Sequence, residues 1–171
     1  MIGTPAPDAG GRPPARGTAV RRLGPGDLPA AHAMLDLFAE AFDDPATYAA
    51  ARPDGAYLAR LLADEAVVAL AAFDGDAVVG AAVAYELRKF EQARSEMYLY
   101  DLAVAPSWRR RGIATALIDA LREIAFRRGA WMVFVQADRG DDPAIALYSR
   151  LGVREDVLHF DIEPRPRGAA D

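Results

Sequence analysis

The chain has 171 residues, 52% of them hydrophobic, which suits a single domain that folds without disulfides or structural metal. It has no cysteine and only two histidines, His32 and His159, which excludes thiolate nucleophiles, Cys-based zinc sites and HExxH-type metal sites and suits a reducing cytoplasm. The net charge is −5, from 25 acidic and 20 basic residues; its interleaved arginines do not suit nucleic acid, and the longest apolar run, Ala66–Phe73, falls short of the ~18 residues a bilayer span needs.

Residues 1–17, rich in glycine and proline, have almost nothing to bury and read as a disordered tail with no apolar core of a signal peptide or anchor. Thr18–Leu23 suits a first strand. Asp27 then caps a helix whose apolar residues Leu28, Ala31, Leu35, Phe38 and Phe42 recur at three or four. Asp54 caps a second short helix with Tyr57, Leu58, Leu61 and Leu62 inward. Glu65–Phe73 and Ala77–Leu87 read as strands around the hairpin connection Asp74-Gly75-Asp76. The polar loop Arg88–Glu96 leads to a strand over Met97–Ala105. A helix follows over Ala114–Arg128, with Ala114, Leu117, Ile118, Leu121, Ile124 and Ala125 on one face. Trp131–Ala137 is the next strand, and the loop DRGDDP leads to a helix over Pro143–Leu151, closed by Gly152 as a left-handed cap. Val157–Ile162 reads as a last strand before a flexible end from residue 164. The order β-α-α-β-β-β-α-β-α-β predicts a mixed α/β sheet over 18–163 with flanking helices.

Three features carry chemistry. RRRGIA, Arg109 to Ala114, joins a strand to a helix. A glycine turn opening a helix aims free backbone N–H groups and the positive helix end at one point, and neighbouring arginines add charge, so the segment suits a diphosphate. Asp101 lies within YLYDLAVA where an apolar residue is expected; facing a cleft it would attract an ammonium and accept its proton, and otherwise it caps a bulge or pairs an arginine. Tyr148 shares a helix face with Ala144 and Leu151, which for a lone tyrosine means a packed aromatic. The loops add Glu91, Glu96, Asp138, Asp141, Asp142, Asp161 and Glu163, acids that are individually unremarkable on a surface.

Arg109, Gly112 and Ala114 match the signature [QR]-x-x-G-x-[GA], and DPAIALYSRLGV (Asp142–Val153) resembles a second motif, a helix carrying a tyrosine before a leucine-glycine end. On these elements in this order, the chain resembles the GNAT superfamily of acyl-CoA-dependent N-acetyltransferases, an α/β (α+β) fold. LDLFAEAF, PDGAYLARLL, ALAAFDGDAVVGA, KFEQARSE, YDLAVA, VQADRGDDPAIALY and HFDIEP are further similar to the gentamicin-modifying aminoglycoside 3-N-acetyltransferases. Two departures stand out: Ala114 replaces the second signature glycine, and the second helix begins at Asp142-Pro143 where the family often has Asn.

The resemblance implies acetyl-CoA as cosubstrate, no metal, a cytoplasmic homodimer and neither nucleic acid nor membrane as partner. It puts the pyrophosphate on the amides of Arg111, Gly112, Ile113, Ala114 and Thr115, with Arg109 and Arg110 adding charge. The pantetheine arm would pair with the strand at Leu102, Ala103 and Val104, with a thioester-directed amide near Leu102. Asp101 would be the general base and Tyr148 the general acid, while Glu91, Asp101, Asp141, Asp142 and Asp161 would bind the polycation. The expected reaction is acetylation of the 3-amino group of a gentamicin-like aminoglycoside, conferring resistance. A polyamine or protein N-terminus is the alternative acceptor, and an acyl-CoA-binding or interaction module the non-enzymatic alternative.

Overall fold

The computed structural model describes residues 17–165; residues 1–16 of the expected tail and residues 166–171 lie outside them. The described chain divides into two compact units at Gln136/Ala137.

The first unit holds a sheet of five strands in the order β1-β2-β3-β4-β5: β1 Thr18–Arg22, β2 Val67–Asp74, β3 Ala77–Arg88, β4 Ser95–Val104 and β5 Val133–Val135. The first four run antiparallel, and β5 pairs parallel with β4. This is the mixed sheet expected. Val67–Ala72 of β2 and Val79–Ala82 of β3 are all buried, because helices cover both faces and leave no side to alternate towards water. Helices α1 (Leu28–Ala41) and α2 (Gly55–Ala63) form one core layer with Ala69, Ala71, Ala81 and Ala103 through Met34, Leu37, Phe38, Leu58 and Leu62. Helix α3 (Ile113–Arg127) buries Ile113, Leu117, Ile118, Leu121 and Ala125 on the opposite face. Small side chains at the sheet centre let both layers come close. At Gly80 an added Cβ would meet Ile113 Cγ2 at 2.6 Å, so α3 reaches its seat only over a bare backbone.

Local signals were read correctly where the chemistry was local. Asp54 caps α2, accepting from the Tyr57 amide at 2.7 Å, and Gly75 supplies the positive φ of 57° that the tight β2–β3 turn requires. Others were overridden. Asp27 sits at the N-cap of α1 yet bonds no helix amide; its oxygens take the Gly24 amide and the Arg21 guanidinium instead. Tyr57 was expected inward and is 50% exposed, and Met34 and Leu37 replace Leu35 and Phe42 among the buried residues of α1. A π-helical turn, Ala46–Ala50, and a 3-10 turn, Pro106–Trp108, were not anticipated.

The second unit contains helix α4 (Asp142–Leu151), capped by Asp141, which accepts from the Ala144 amide at 3.1 Å. Gly152 follows with an extended backbone, φ −153°, rather than the left-handed cap expected. The strand expected over Val157–Ile162 is absent: residues 152–165 contain neither helix nor strand among those described. Its alternating pattern is compatible with a strand, but a strand exists only through a ladder, and local sequence supplies no partner. For the same reason β5 is three residues, shorter than the predicted Trp131–Ala137. No helix among the described residues is long and apolar enough to cross a membrane.

Candidate active site

The RRRGIA segment forms the N-terminus of α3. Gly112 is its N-cap at φ 82°, no side chain caps the helix, and no acid occupies its first turn. The first intrahelical bond is Ala116 N to Gly112 O at 2.9 Å, so the amides of Ile113, Ala114 and Thr115 carry no helix bond and point outward along the axis. Arg110 also holds a positive φ, 63°. Two left-handed residues in four wrap the backbone into a concave turn that suits an anion. None of Arg109, Arg110 or Arg111 is ion-paired among the described residues. The Arg111 guanidinium lies 4.7 Å from the centre of the Trp108 ring, a cation–π platform that sequence reasoning missed although the tryptophan directly precedes the arginines.

Strand β4 has an incomplete edge. β3 accompanies it from Ser95 to Val104, whereas β5 pairs only with Met97, Tyr98 and Leu99. Beyond Leu99 the edge on the β5 side, including the backbone of Leu102 and Val104, has no ladder partner among the described residues. Such an edge can take an added extended chain. Ala103 is buried in the α1 layer, so only its backbone is available there. The Arg109 Nε donates to the Val104 carbonyl at 3.1 Å, so that acceptor is engaged from within the chain.

The same strand aims Asp101. Val83 pairs with Asp101 and the next residue, Ala84, with Leu99, leaving Tyr100 as the extra residue of a bulge. Strict alternation would put Asp101 on the face of Met97 and Leu99, both buried. The bulge turns it to the α1 face instead, where it is half-buried at the end of the apolar layer. There the Tyr48 hydroxyl, from the π-helical turn, donates to Asp101 Oδ1 at 2.7 Å. Sequence reasoning did not find Tyr48; it lies 53 residues away in a segment with no periodic signal. Burial raises the Asp101 carboxyl above its ordinary range, and the Tyr48 hydrogen bond opposes that shift. Burial, then the bond to Asp101, push the Tyr48 hydroxyl far above the phenol range, so it remains a donor. Asp101 has no ion pair among the described residues. Around it Tyr85, Tyr98 and Tyr100 make edge contacts at 5.9 and 5.4 Å, and Tyr98 stacks on Phe134 at 4.8 Å. The carboxylate thus lies beside an aromatic floor whose Tyr100 ring is 61% exposed.

The other expected acids sit apart in kind. Glu91 is at the tip of the β3–β4 hairpin, bonded to Arg94 at 3.1 Å and 3.9 Å from Lys89, and from strand rise the hairpin end at Ser95 is roughly 20 Å from Asp101. In the second unit Asp141 is spent on the cap of α4 and Asp142 lies in its first turn, while Asp161 bonds His159 at 3.0 Å. Tyr148, on α4, is half-buried; burial and the charge of Asp141 push its hydroxyl up to about 12. No group of three or more His, Asp or Glu residues that could hold a metal occurs among the described residues.

Residues 31–153 match the model of the acetyltransferase (GNAT) family. Among solved structures, an aminoglycoside acetyltransferase, HMB0005, from an uncultured soil metagenomic sample is 54% identical, with a TM-score of 0.84 over 86% of this chain and 99% of that one. A second, meta-AAC0020 from such a sample, solved with sisomicin, is 30% identical with a TM-score of 0.81 over 87% and 97%. The ribosomal protein bS18-alanine N-acetyltransferase of Escherichia coli (strain K12) is 30% identical over 76 residues, 44% of this chain and 51% of that enzyme. The chain therefore spans about half the length of the curated relatives it matches.

Proposed function

The chain belongs to the acetyltransferase (GNAT) family, and on that premise we propose that it transfers the acetyl group of acetyl-CoA to the 3-amino group of a gentamicin-like aminoglycoside. The observation that carries this is Asp101: a half-buried carboxylate without an ion pair among the described residues, turned by a bulge to the α1 face of a strand with an open edge. A charge so placed wants a cation, and an amine that arrives as ammonium supplies one. Likeness to two aminoglycoside acetyltransferases supports an aminoglycoside as its bearer.

In this reading the amides of Ile113, Ala114 and Thr115 hold the pyrophosphate, with those of Arg111 and Gly112, and the charges of Arg109 and Arg110 add to them. The open edge of β4 takes the pantetheine arm at Leu102 and Val104, where the Val104 carbonyl already accepts from Arg109 and keeps a second lone pair. Asp101 accepts the ammonium proton, and its raised pKa makes it a better base than a free aspartate. An amide near Leu102 faces the developing oxyanion, a contact worth roughly 2.7–4 kcal/mol. Tyr148 hydrogen-bonds the departing thiolate; at about 12 it keeps its proton against a thiol of about 8.5. Asp141, Asp142 and Asp161 add long-range attraction for a polycation, and Glu91 adds less because Arg94 and Lys89 offset it. The enzyme acts as a homodimer in the cytoplasm.

Likeness to a ribosomal-protein alanine acetyltransferase favours one second reading, acetylation of a protein N-terminus. Thiol release from acetyl-CoA, measured with gentamicin, spermidine and an alanine-terminated peptide in parallel, separates them. Release with gentamicin, followed by NMR assignment of the acetylated nitrogen, supports the proposal. Release with the peptide alone overturns it.

A further inference from the structure

We propose that Tyr48 is a positioning residue for the reaction, holding Asp101 Oδ1 so that Oδ2 is the oxygen presented to the acceptor amine. This rests on Asp101 being the base. The terminal torsion of an aspartate is broad and two-fold, and pairing of its backbone with Val83 leaves that torsion free. One short hydrogen bond does: Tyr48 Oη to Oδ1, 2.7 Å. Tyr48 is itself held. Its ring packs on Phe38 and Phe42, with centroids 5.7 and 5.5 Å away, and Phe38 is 2% exposed in the core. The titratable groups that face Asp101 are Tyr48 from the π-helical turn, Tyr85 from β3, and Tyr98 and Tyr100 from β4. All are phenols. Among the described residues only Tyr48 bonds the carboxylate, so it alone decides which oxygen remains for the substrate. A donor on one carboxylate oxygen also favours the ionised form, which keeps a buried base ready near neutrality.

The test is Tyr48→Phe, which keeps the ring on Phe38 and Phe42 and removes only the donor. With gentamicin as acceptor, kcat should fall about tenfold, a fraction of what a positioned base contributes, while the KM for acetyl-CoA stays within twofold. The acid limb of the kcat/KM profile should move to higher pH, because the carboxyl loses the bond that lowers its pKa. In an Asp101→Asn background the same change should alter kcat less than twofold, since no base remains to be aimed. Incorporating 3-fluorotyrosine at position 48, a stronger donor of nearly the same shape, should move the acid limb to lower pH and keeps the test valid if the phenylalanine variant folds poorly. An unmoved acid limb in both variants, with Asp101→Asn inactive, overturns the positioning role alone. Asp101→Asn with near-normal turnover removes the base, and the role of Tyr48 with it.

Discussion

Gly80 of β3 and Ile113 at the start of α3 approach so closely that a Cβ on the glycine would stand 2.6 Å from Ile113 Cγ2. Ala72 Cβ and Leu117 Cδ1 close the same space at 3.3 Å, so a side chain there would have to displace Ile113, which is buried. The sheet therefore sets the position of the helix end that carries the amides of Ile113, Ala114 and Thr115. Gly80→Ala should cost about 1–3 kcal/mol as an overpacked site and displace that helix end. We expect a lower Tm and an acetyl-CoA KM raised about tenfold, with kcat at saturating acetyl-CoA within threefold. A changed Tm with an unchanged KM would detach the helix end from cosubstrate binding.

Gly112 and Gly75 both hold positive φ, 82° and 57°, and separate strain from function. Alanine at either site should cost about 1–2 kcal/mol, the penalty of a left-handed L-residue. At Gly75 a Cβ meets nothing within 4 Å, and the hairpin turn touches no proposed site. Gly112→Ala should therefore weaken coenzyme A binding in a calorimetric titration, whereas Gly75→Ala should lower Tm and leave that affinity alone. Equal affinity loss in both would mean that general destabilisation is being measured.

What was legible in the sequence follows from how far each signal reaches. The Asp74-Gly75-Asp76 turn, the Asp54 cap and the apolar stripe of α3 are decided within a few residues; the turn and the cap are found as read, and the stripe holds at Leu117, Ile118, Leu121 and Ala125, with Ile113 buried in place of Ala114 and Ile124. Asp101 stood out because it breaks the apolar pattern of its strand, RRRGIA because a glycine opens a helix beside three arginines, and Tyr148 only through the resemblance of the helix that carries it. The bulge at Tyr100 could not be read, since it is a property of two strands in register rather than of β4. Tyr48 escaped for a related reason: its partner is 53 residues away, and a tyrosine between two helices looks like any packed aromatic. The Val157–Ile162 run shows the converse, a strand-like pattern without a ladder.

In the proposed reaction, Tyr148 tests whether the leaving thiolate needs a proton or only a hydrogen bond. With its hydroxyl pushed up to about 12, transfer to a thiolate whose conjugate acid is near 8.5 runs uphill. Tyr148→Phe should lower kcat about tenfold, in keeping with one lost hydrogen bond to a charged group, and leave the acetyl-CoA KM within twofold. The alkaline limb of the kcat profile should not report a tyrosine near 10. An unchanged kcat would remove Tyr148 from the reaction.

Asp101, the proposed base, should cost the protein stability. Burial raises its carboxyl in the folded state, so between the ordinary carboxylate value, about 3.9, and the raised one the native protein binds more protons than the unfolded chain. Stability from this group then falls as pH rises through that window and stays reduced above it. Asparagine at this position is never charged and can still accept from the Tyr48 hydroxyl. Asp101→Asn should thus lose most turnover yet unfold at a higher urea concentration than the wild type at pH 7, with the gap narrowing as pH is lowered towards about 4. A variant less stable than the wild type at pH 7 would mean that the carboxylate is better solvated than its burial implies, and the case for Asp101 as a raised-pKa base would fall with it.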